Sequence, residues 1–343
     1  MSDVLNMTNT VQIIAEVGVN HNGDINLAKN LAAAALDAGA DIVKFQSFDP
    51  DELVIPSAKT AQYQNKNTEE CYQIELLRKL QLSEQEQIEI FKYCNDIGVE
   101  FLSTAFEKKS LIKLLRLGIK RIKIPSGEIT NTPFLEFIGS LNLPIILSTG
   151  MANLEEIEQA LNTLKKNGAT KETITVLHCT SNYPATDAEL NLRALTTIAN
   201  SFDTEIGYSD HSLGKEASNA AVALGAKVIE KHITLDRSML GPDHIASMEI
   251  SEFQDFVKSI RRTETILGEP IKKPTFSEQL TLKLVRKSIV ALTDVKAGEL
   301  FSADNVTTKR PGTGLSAVKW QDLIGKKSER NYQKNELIDD KEI

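Results

Sequence analysis

Two lysines, two histidines and several hydroxyl residues sit at matching places in this sequence, each at or near the end of a short apolar run. Lys44 and Lys123 lie inside DIVKFQ and RIKIPS. An ammonium buried in such a run is stable only if an anion answers it. Ser126, Ser148 and Ser209 close runs of the same kind, and their hydroxyls are natural phosphate donors. The group predicts a pocket for a small, multiply charged anion. The competing reading is a purely structural salt-bridge network. His211 and His232 come from neighbouring runs, so their imidazoles can converge. Two histidines with open positions suit a divalent ion such as Mn²⁺, Zn²⁺ or Co²⁺. Glu16, Gln46, Thr104, Glu128, Ser181, Tyr183 and Glu230 crowd the same ends. Gln46 stands two residues after Lys44, on the same side of an extended chain. His21 and His244 fall in loops, and His178 reads as a packed residue within its run.

Eight such runs recur before residue 235, at 11–16, 41–46, 100–104, 121–126, 144–149, 174–179, 205–209 and 228–232. Each is short and rich in aliphatic or β-branched residues, as a buried parallel strand is. Helical patterns lie between them, at 26–38, 83–97, 153–166, 191–200, 213–224 and 251–267. Ser83 followed by Glu86 is a capping box for the second of these. Strand and helix alternating eight times predict a closed (β/α)8 TIM barrel; an open doubly wound sheet is the structural competitor. Barrel enzymes place their active sites at the carboxyl ends of the strands, where the polar residues here collect. The connection 47–82 is too long for a simple turn, and its polar part, AQYQNKNTEE, is expected to decorate the catalytic face.

The chain of 343 residues carries a net charge of −8, which excludes nucleic acid or an anionic membrane as the main partner. Three cysteines in no metal-binding pattern fit a reducing cytoplasm. The polar N-terminus lacks the apolar core of a signal peptide, and no run is long enough to span a membrane. Residues 268–285 hold two prolines and read as a linker. Residues 286–343 show strand-like runs KSIVAL, ELFS and NVTTKR with turns between them. That segment holds 11 basic and 9 acidic residues, a net of +2; the remainder holds 28 against 38, a net of −10. The asymmetry predicts that a small domain docks against an acidic barrel, its own or that of a second subunit.

The runs IIAEVGVNHNGD, ADIVKFQSF, FLSTAF, IKIPSGE, ILSTGMA, LHCTSNYPA, GYSDHS, VIEKHITLD with GPDH, and TTKRPGTG resemble the sialic acid synthase family nearly end to end. The resemblance implies a catalytic TIM barrel over 1–267, the linker, and a small antifreeze-like (SAF) domain over 286–343. It implies domain-swapped homodimers in which each small domain covers the partner's active site. By resemblance His211 and His232 are the metal ligands, usually for Mn²⁺, with Mg²⁺ or Co²⁺ as substitutes. Lys44, Lys123, Ser126, Ser148 and Ser209 match the phosphoenolpyruvate-binding set. Glu16, Gln46, Glu128, Tyr183 and Asp243 match groups near the sugar or the metal-bound water. Arg310 matches an arginine that reaches from the partner to the sugar's N-acetyl group. Thr104 keeps its family place although Ala105 replaces a common proline. Ser181 stands where some members have asparagine.

The implied reaction condenses phosphoenolpyruvate with an N-acetylated amino-hexose and water, releasing phosphate. Either Glu16 or Glu128 would deprotonate the water. The leading expectation is N-acetylmannosamine giving N-acetylneuraminate. The alternative is 2,4-diacetamido-2,4,6-trideoxymannose giving N,N'-diacetyllegionaminate, with pseudaminate third. Three rivals stand outside this reading. A Schiff-base aldolase would use Lys44 or Lys123 but needs no phosphate donors. Synthases of seven- and eight-carbon sugar acids lack the small C-terminal domain. A non-enzymatic sugar-binding or antifreeze-like protein leaves the two lysines and two histidines without a task.

Overall fold

The computed structural model describes residues 10–60, 68 and 70–343, and the chain divides after Gly268 into two units. In the first unit the strands are β1 (Gln12–Gly18), β2 (Ile42–Ser47), β3 (Glu100–Ala105), β4 (Ile122–Ile124), β5 (Ile145–Ser148), β6 (Ile174–Cys179), β7 (Glu205–Asp210) and β8 (Val228–Thr234). They pair in parallel in sequence order, and β1 also pairs with β8, which closes the barrel and rules out the open sheet. A two-residue strand, β9 (Met248–Glu249), adds to β8.

Because side chains alternate along a strand, residues two apart stack along the barrel interior. Gln12, Glu100 and Arg121 lie at the amino ends, where Arg121 donates to both of the others. Two residues on, Ile14, Ile42, Leu102, Ile146, Leu177 and Val228 form a buried apolar layer. Two further on stand Glu16, Lys44, Thr104, Ser148, Cys179 and Glu230. One periodicity thus sets a sealed core directly beneath a polar floor. Gly207 belongs to the apolar layer, where an added Cβ would lie 2.4 Å from Leu177 Cδ2 and 2.5 Å from the Val228 carbonyl oxygen. Gly207→Ala is therefore expected to destabilise the barrel by about 1–3 kcal/mol, the usual range for overpacking. A denaturant midpoint equal to that of the parent would contradict this.

The connections carry α1 (Ile25–Asp37), α2 (Pro50–Leu53), α3 (Gln73–Leu80), α4 (Glu84–Ile97), α5 (Lys108–Leu117), α6 (Thr132–Gly139), α7 (Leu154–Lys166), α8 (Ala194–Phe202), α9 (Glu216–Ala223) and α10 (Ile250–Leu267). Ser83 and Glu86 form the expected reciprocal cap on α4, and Gly98 ends it in the left-handed region at φ 86°. Helices α5 and α6 complete the ring without having been expected. Each begins with a local cap, Glu107 or Asn131, and runs only ten and eight residues. The long connection after β2 contains α2 and α3. Most of the polar stretch 61–70 falls outside the described residues.

Residues 268–285 are more than a linker. They include α11 (Phe276–Val285), started by Thr275 and Glu278 in a capping box that follows Pro274. Beyond it the second unit pairs β10 (Ser288–Ala291) antiparallel to β11 (Val306–Lys309). Ile289, Phe301, Val306, Leu323, Tyr332 and Ile338 are among its core residues. The run ELFS, read as a strand, contributes a single bridge, Leu300 to Lys327. A short helix, α12 (Trp320–Leu323), completes the unit. Among the described residues no helix is long and apolar enough to cross a membrane.

Candidate active site

The polar floor opens into a cavity of about 540 Å³. Glu16, Lys44, Gln46, Thr104, Lys123, Ser126, Ser148, Ser181, Tyr183, Ser209, His211, His232 and Asp243 all line it. Two expected residues are absent from that lining. Glu128 sits on the turn after β4, where its carboxylate accepts from Asn131 Nδ2 at 2.6 Å. Arg310 belongs to the second unit, exposed just past β11.

Strand register sets the charges. Glu16 lies level with Lys44 on one side and His232 on the other, and Ser209 lies level with Glu230. Lys44 Nζ is 2.9 Å from Glu16 and 3.4 Å from Glu230, and it donates to Thr104 Oγ1 at 3.1 Å. Lys123 Nζ lies 3.1 Å from Glu230 and donates to Ser148 Oγ at 2.6 Å. Glu230 also accepts from Ser209 Oγ at 2.8 Å. Both lysines thus have anionic partners within the chain. Each is already answered by a carboxylate, and Glu230, which the sequence shows only as a polar strand end, joins the two.

The pairing is uneven, and the proton affinities follow. Burial opposes the charge on Lys44, but Glu16 and Glu230 outweigh it and hold the ammonium above its ordinary range. Burial prevails at Lys123, which has one carboxylate beside it and Lys44 as a repelling neighbour, and pulls it down. Burial also works against Glu230, yet Lys123 and Lys44 overcome it and hold that carboxyl well below the usual range. Glu16 is pushed up to about 7, first by burial and then by Glu230, against the pull of Lys44. Gln46 Nε2 fixes its orientation from 3.2 Å. The floor thus holds one firmly ionised carboxylate and one poised to gain or lose a proton near neutrality. Burial alone raises Asp243, across the cavity, to about 6.

The two imidazoles do converge, with ring centroids 5.6 Å apart. Tyr183 stacks on His211 at 4.1 Å and meets His232 edge-on. Burial keeps both histidines neutral, His211 at about 4 and His232 well below its ordinary value. His211 Nδ1 donates to the Thr180 carbonyl at 2.7 Å, which leaves the Nε2 lone pair for the cavity. Nδ1 of His232 is buried without a hydrogen-bond partner. Neutral rings, one orphaned nitrogen and one fixed tautomer fit a pair of metal ligands. Among the described residues no group of three or more histidine, cysteine, aspartate or glutamate side chains forms a metal cage, so two imidazoles would leave most positions open.

The other histidines have structural partners. His244 bonds Thr234 and Asn22, His21 accepts from the Gly23 amide, and Asn20 holds Ile233 and Ser247. NHNGD and GPDH therefore clamp the loop after β1 to the loop after β8. His178 lies 2.7 Å from the Leu190 carbonyl, packed as expected. At the edge of the floor the Gly150 amide donates to Ser126 Oγ, and Cys179 Sγ lies 3.2 Å from the same oxygen. A Cβ on Gly150 would fall 2.1 Å from Ser181 Oγ. Only glycine leaves room for the Ser181 and Ser126 hydroxyls here.

Residues 31–272 match the NeuB family, and residues 286–343 match the SAF domain. The chain is 51% identical over 327 residues to the N,N'-diacetyllegionaminic acid synthase of Campylobacter jejuni, spanning 95% of this chain and 98% of that one. It is 35% identical over 298 residues to the N-acetylneuraminate-9-phosphate synthase of Mus musculus, with 87% and 82% covered. Among solved structures, the N-acetylneuraminic acid synthetase of Leptospira borgpetersenii matches with a TM-score of 0.70 and 34% identity, over 79% of this chain and 90% of that one. A closed barrel with its polar floor, a SAF domain following it in sequence and relatives alike over nearly the whole length lead to one conclusion: the chain belongs to the NeuB family and is an enzyme of the sialic acid synthase type.

Proposed function

We propose that this enzyme condenses phosphoenolpyruvate with 2,4-diacetamido-2,4,6-trideoxymannose and water to give N,N'-diacetyllegionaminate and phosphate. The observation that carries the choice of sugar is the full-length likeness to the Campylobacter jejuni synthase, at 51% identity against 35% for the mouse enzyme. It favours this sugar over N-acetylmannosamine, the leading expectation from sequence.

The site residues support the following chemistry. Lys44 and Lys123, with the hydroxyls of Ser126, Ser148, Ser181 and Ser209, hold the phosphate and carboxylate and fix the face from which the third carbon attacks. That carbon bonds to the aldehyde carbon of the open-chain sugar, and the aldehyde oxygen takes up a proton. Positive character left at the second carbon is captured by water, and phosphate leaves with cleavage of its carbon–oxygen bond. Glu16 takes the proton from that water. It lines the cavity with a carboxyl near neutrality, whereas Glu128 is bound to Asn131. A divalent ion held by His211 and His232, Mn²⁺ by family resemblance, would supply Lewis acidity toward the aldehyde oxygen. Free cysteines fit a cytoplasmic setting. We read the SAF unit as a cover for a partner subunit's cavity in a homodimer, with Arg310 directed to the sugar's acetamido group.

The test measures phosphate release and sugar-acid mass with each candidate sugar. The diacetamido sugar is expected to exceed N-acetylmannosamine in kcat/KM by roughly tenfold or more. A reversed preference would overturn the sugar, and no phosphate from either would overturn the reaction. Chelation should abolish turnover and Mn²⁺ restore it; full activity in a thoroughly stripped sample would remove the metal from the scheme.

A further inference from the structure

The cavity has two chemically opposite sides. Its floor is the ring of strand tips. Another part of its lining is a wall supplied by the long connection after β2, through Leu53, Val54, Gln73, Leu76, Leu77 and Leu80. Five of these six are aliphatic, and Gln73 is the one side chain of the set that can hydrogen-bond. The wall is part of a packed patch. Leu76 and Leu80 are buried with Val19 and Phe48, and Leu53, Leu77 and Phe106 pack against them. Helix α3 is strongly amphipathic, with Ile74, Leu76 and Leu80 buried, so the patch has a fixed shape. Away from Gln73, such a surface accepts a methyl group and leaves a hydroxyl without a partner.

An open-chain hexose that reacts through its first carbon on the floor must send its far end away from the strand tips. We infer that the wall built by α2 and α3 is a specificity site that takes the apolar far end of the sugar, its sixth-carbon methyl together with the acetyl methyl at the fourth carbon. The inference rests on the diacetamido-trideoxy reading and names the residues that enforce it. A sugar with a hydroxyl at the sixth carbon presents a polar group to aliphatic side chains, and one with a phosphate there presents a charge. Among the described residues the same connection contributes none of the floor's lysines, carboxylates or imidazoles. Changes in the wall should therefore act on the choice of sugar and leave phosphoenolpyruvate handling alone.

The experiment uses the full chain and three acceptors: the diacetamido-trideoxy sugar, N-acetylmannosamine and 6-deoxy-N-acetylmannosamine. The last two differ only at the sixth carbon. The parent is expected to prefer the 6-deoxy member by about tenfold to a hundredfold in kcat/KM, the range a hydrophobic pocket achieves for one small group. Leu77→Gln and Leu53→Gln, at half-buried positions, should shrink that preference at least several-fold, with the KM for phosphoenolpyruvate unchanged. Leu77→Ala should weaken the diacetamido sugar without improving N-acetylmannosamine. A parent that favours the diacetamido sugar but ignores the sixth carbon would overturn the wall and leave the sugar assignment intact. Variants that slow all three acceptors equally, with phosphoenolpyruvate KM unchanged, would also overturn it. A parent that favours N-acetylmannosamine over both others would sink the sugar assignment and the wall together.

Discussion

Glu230→Gln is expected to lower stability by about 3–5 kcal/mol, the usual result of stripping one partner from a buried ion pair, and to lower kcat/KM at least a hundredfold. Among the described residues Glu230 is the only carboxylate within 4 Å of Lys123 and the second of two at Lys44. Its neutral isostere keeps the shape and the hydrogen bond from Ser209 but removes the charge that holds two ammonium groups side by side. Lys123, already drawn down by burial, then loses the carboxylate beside it that supports its charge and holds a phosphate or carboxylate less tightly. Denaturant unfolding and steady-state kinetics at varied phosphoenolpyruvate read the two effects separately. A variant as stable as the parent, with unchanged phosphoenolpyruvate KM, would show that the floor does not depend on this pairing.

The second large effect lies on the outer side of the same strands. Asp210 and Lys231 are level with each other in β7 and β8, and their charged groups are 3.1 Å apart. Both are buried, at 0% and 2% side-chain exposure. Asp210 accepts from the Ser212 amide and from the hydroxyls of Ser212 and Ser218, and Lys231 donates to the Ser212 carbonyl. Every partner is satisfied, and the residue after each member is a histidine of the proposed metal pair. Asp210→Asn should destabilise the chain by about 3–5 kcal/mol, because it leaves Lys231 buried without its anion. Asp210→Asn with Lys231→Met should recover much of that loss, since an apolar replacement needs no counter-charge. The double variant should still bind Mn²⁺ about tenfold to a hundredfold more weakly, the usual consequence of losing support behind a ligand. Calorimetric titration with Mn²⁺ reads this without any turnover. Parent-like affinity in the double variant would make the pair structural only.

The barrel is legible in the sequence because each strand is a short apolar run and each polar residue at its end belongs to that run. A period of two then predicts which residues share the interior. The floor's ion pairs are not legible in this way. Lys123 and Glu230 are 107 residues apart, and only closure of the barrel shows which acid answers which base. Their pairing is why two lysines inside strands read as an unanswered demand for an anion. Glu128 falls outside the cavity lining for a more local reason: it follows Ser126 and Gly127 on a tight turn, and Asn131, three residues on, donates to its carboxylate. The second unit resists strand counting because isolated bridges, rather than ladders, join much of its chain.

The layer of Ile14, Ile42, Leu102, Ile146, Leu177 and Val228 makes the barrel a cul-de-sac. Nothing can drain through its base, so reactants and products share a single doorway. On the reading proposed above, an enol phosphate held at the floor by Lys44 and Lys123 would lie behind the acceptor that meets it. It would then arrive first, and inorganic phosphate, released deepest, would wait for the finished sugar acid to move aside. Six aliphatic side chains beneath the floor would then set the order of traffic.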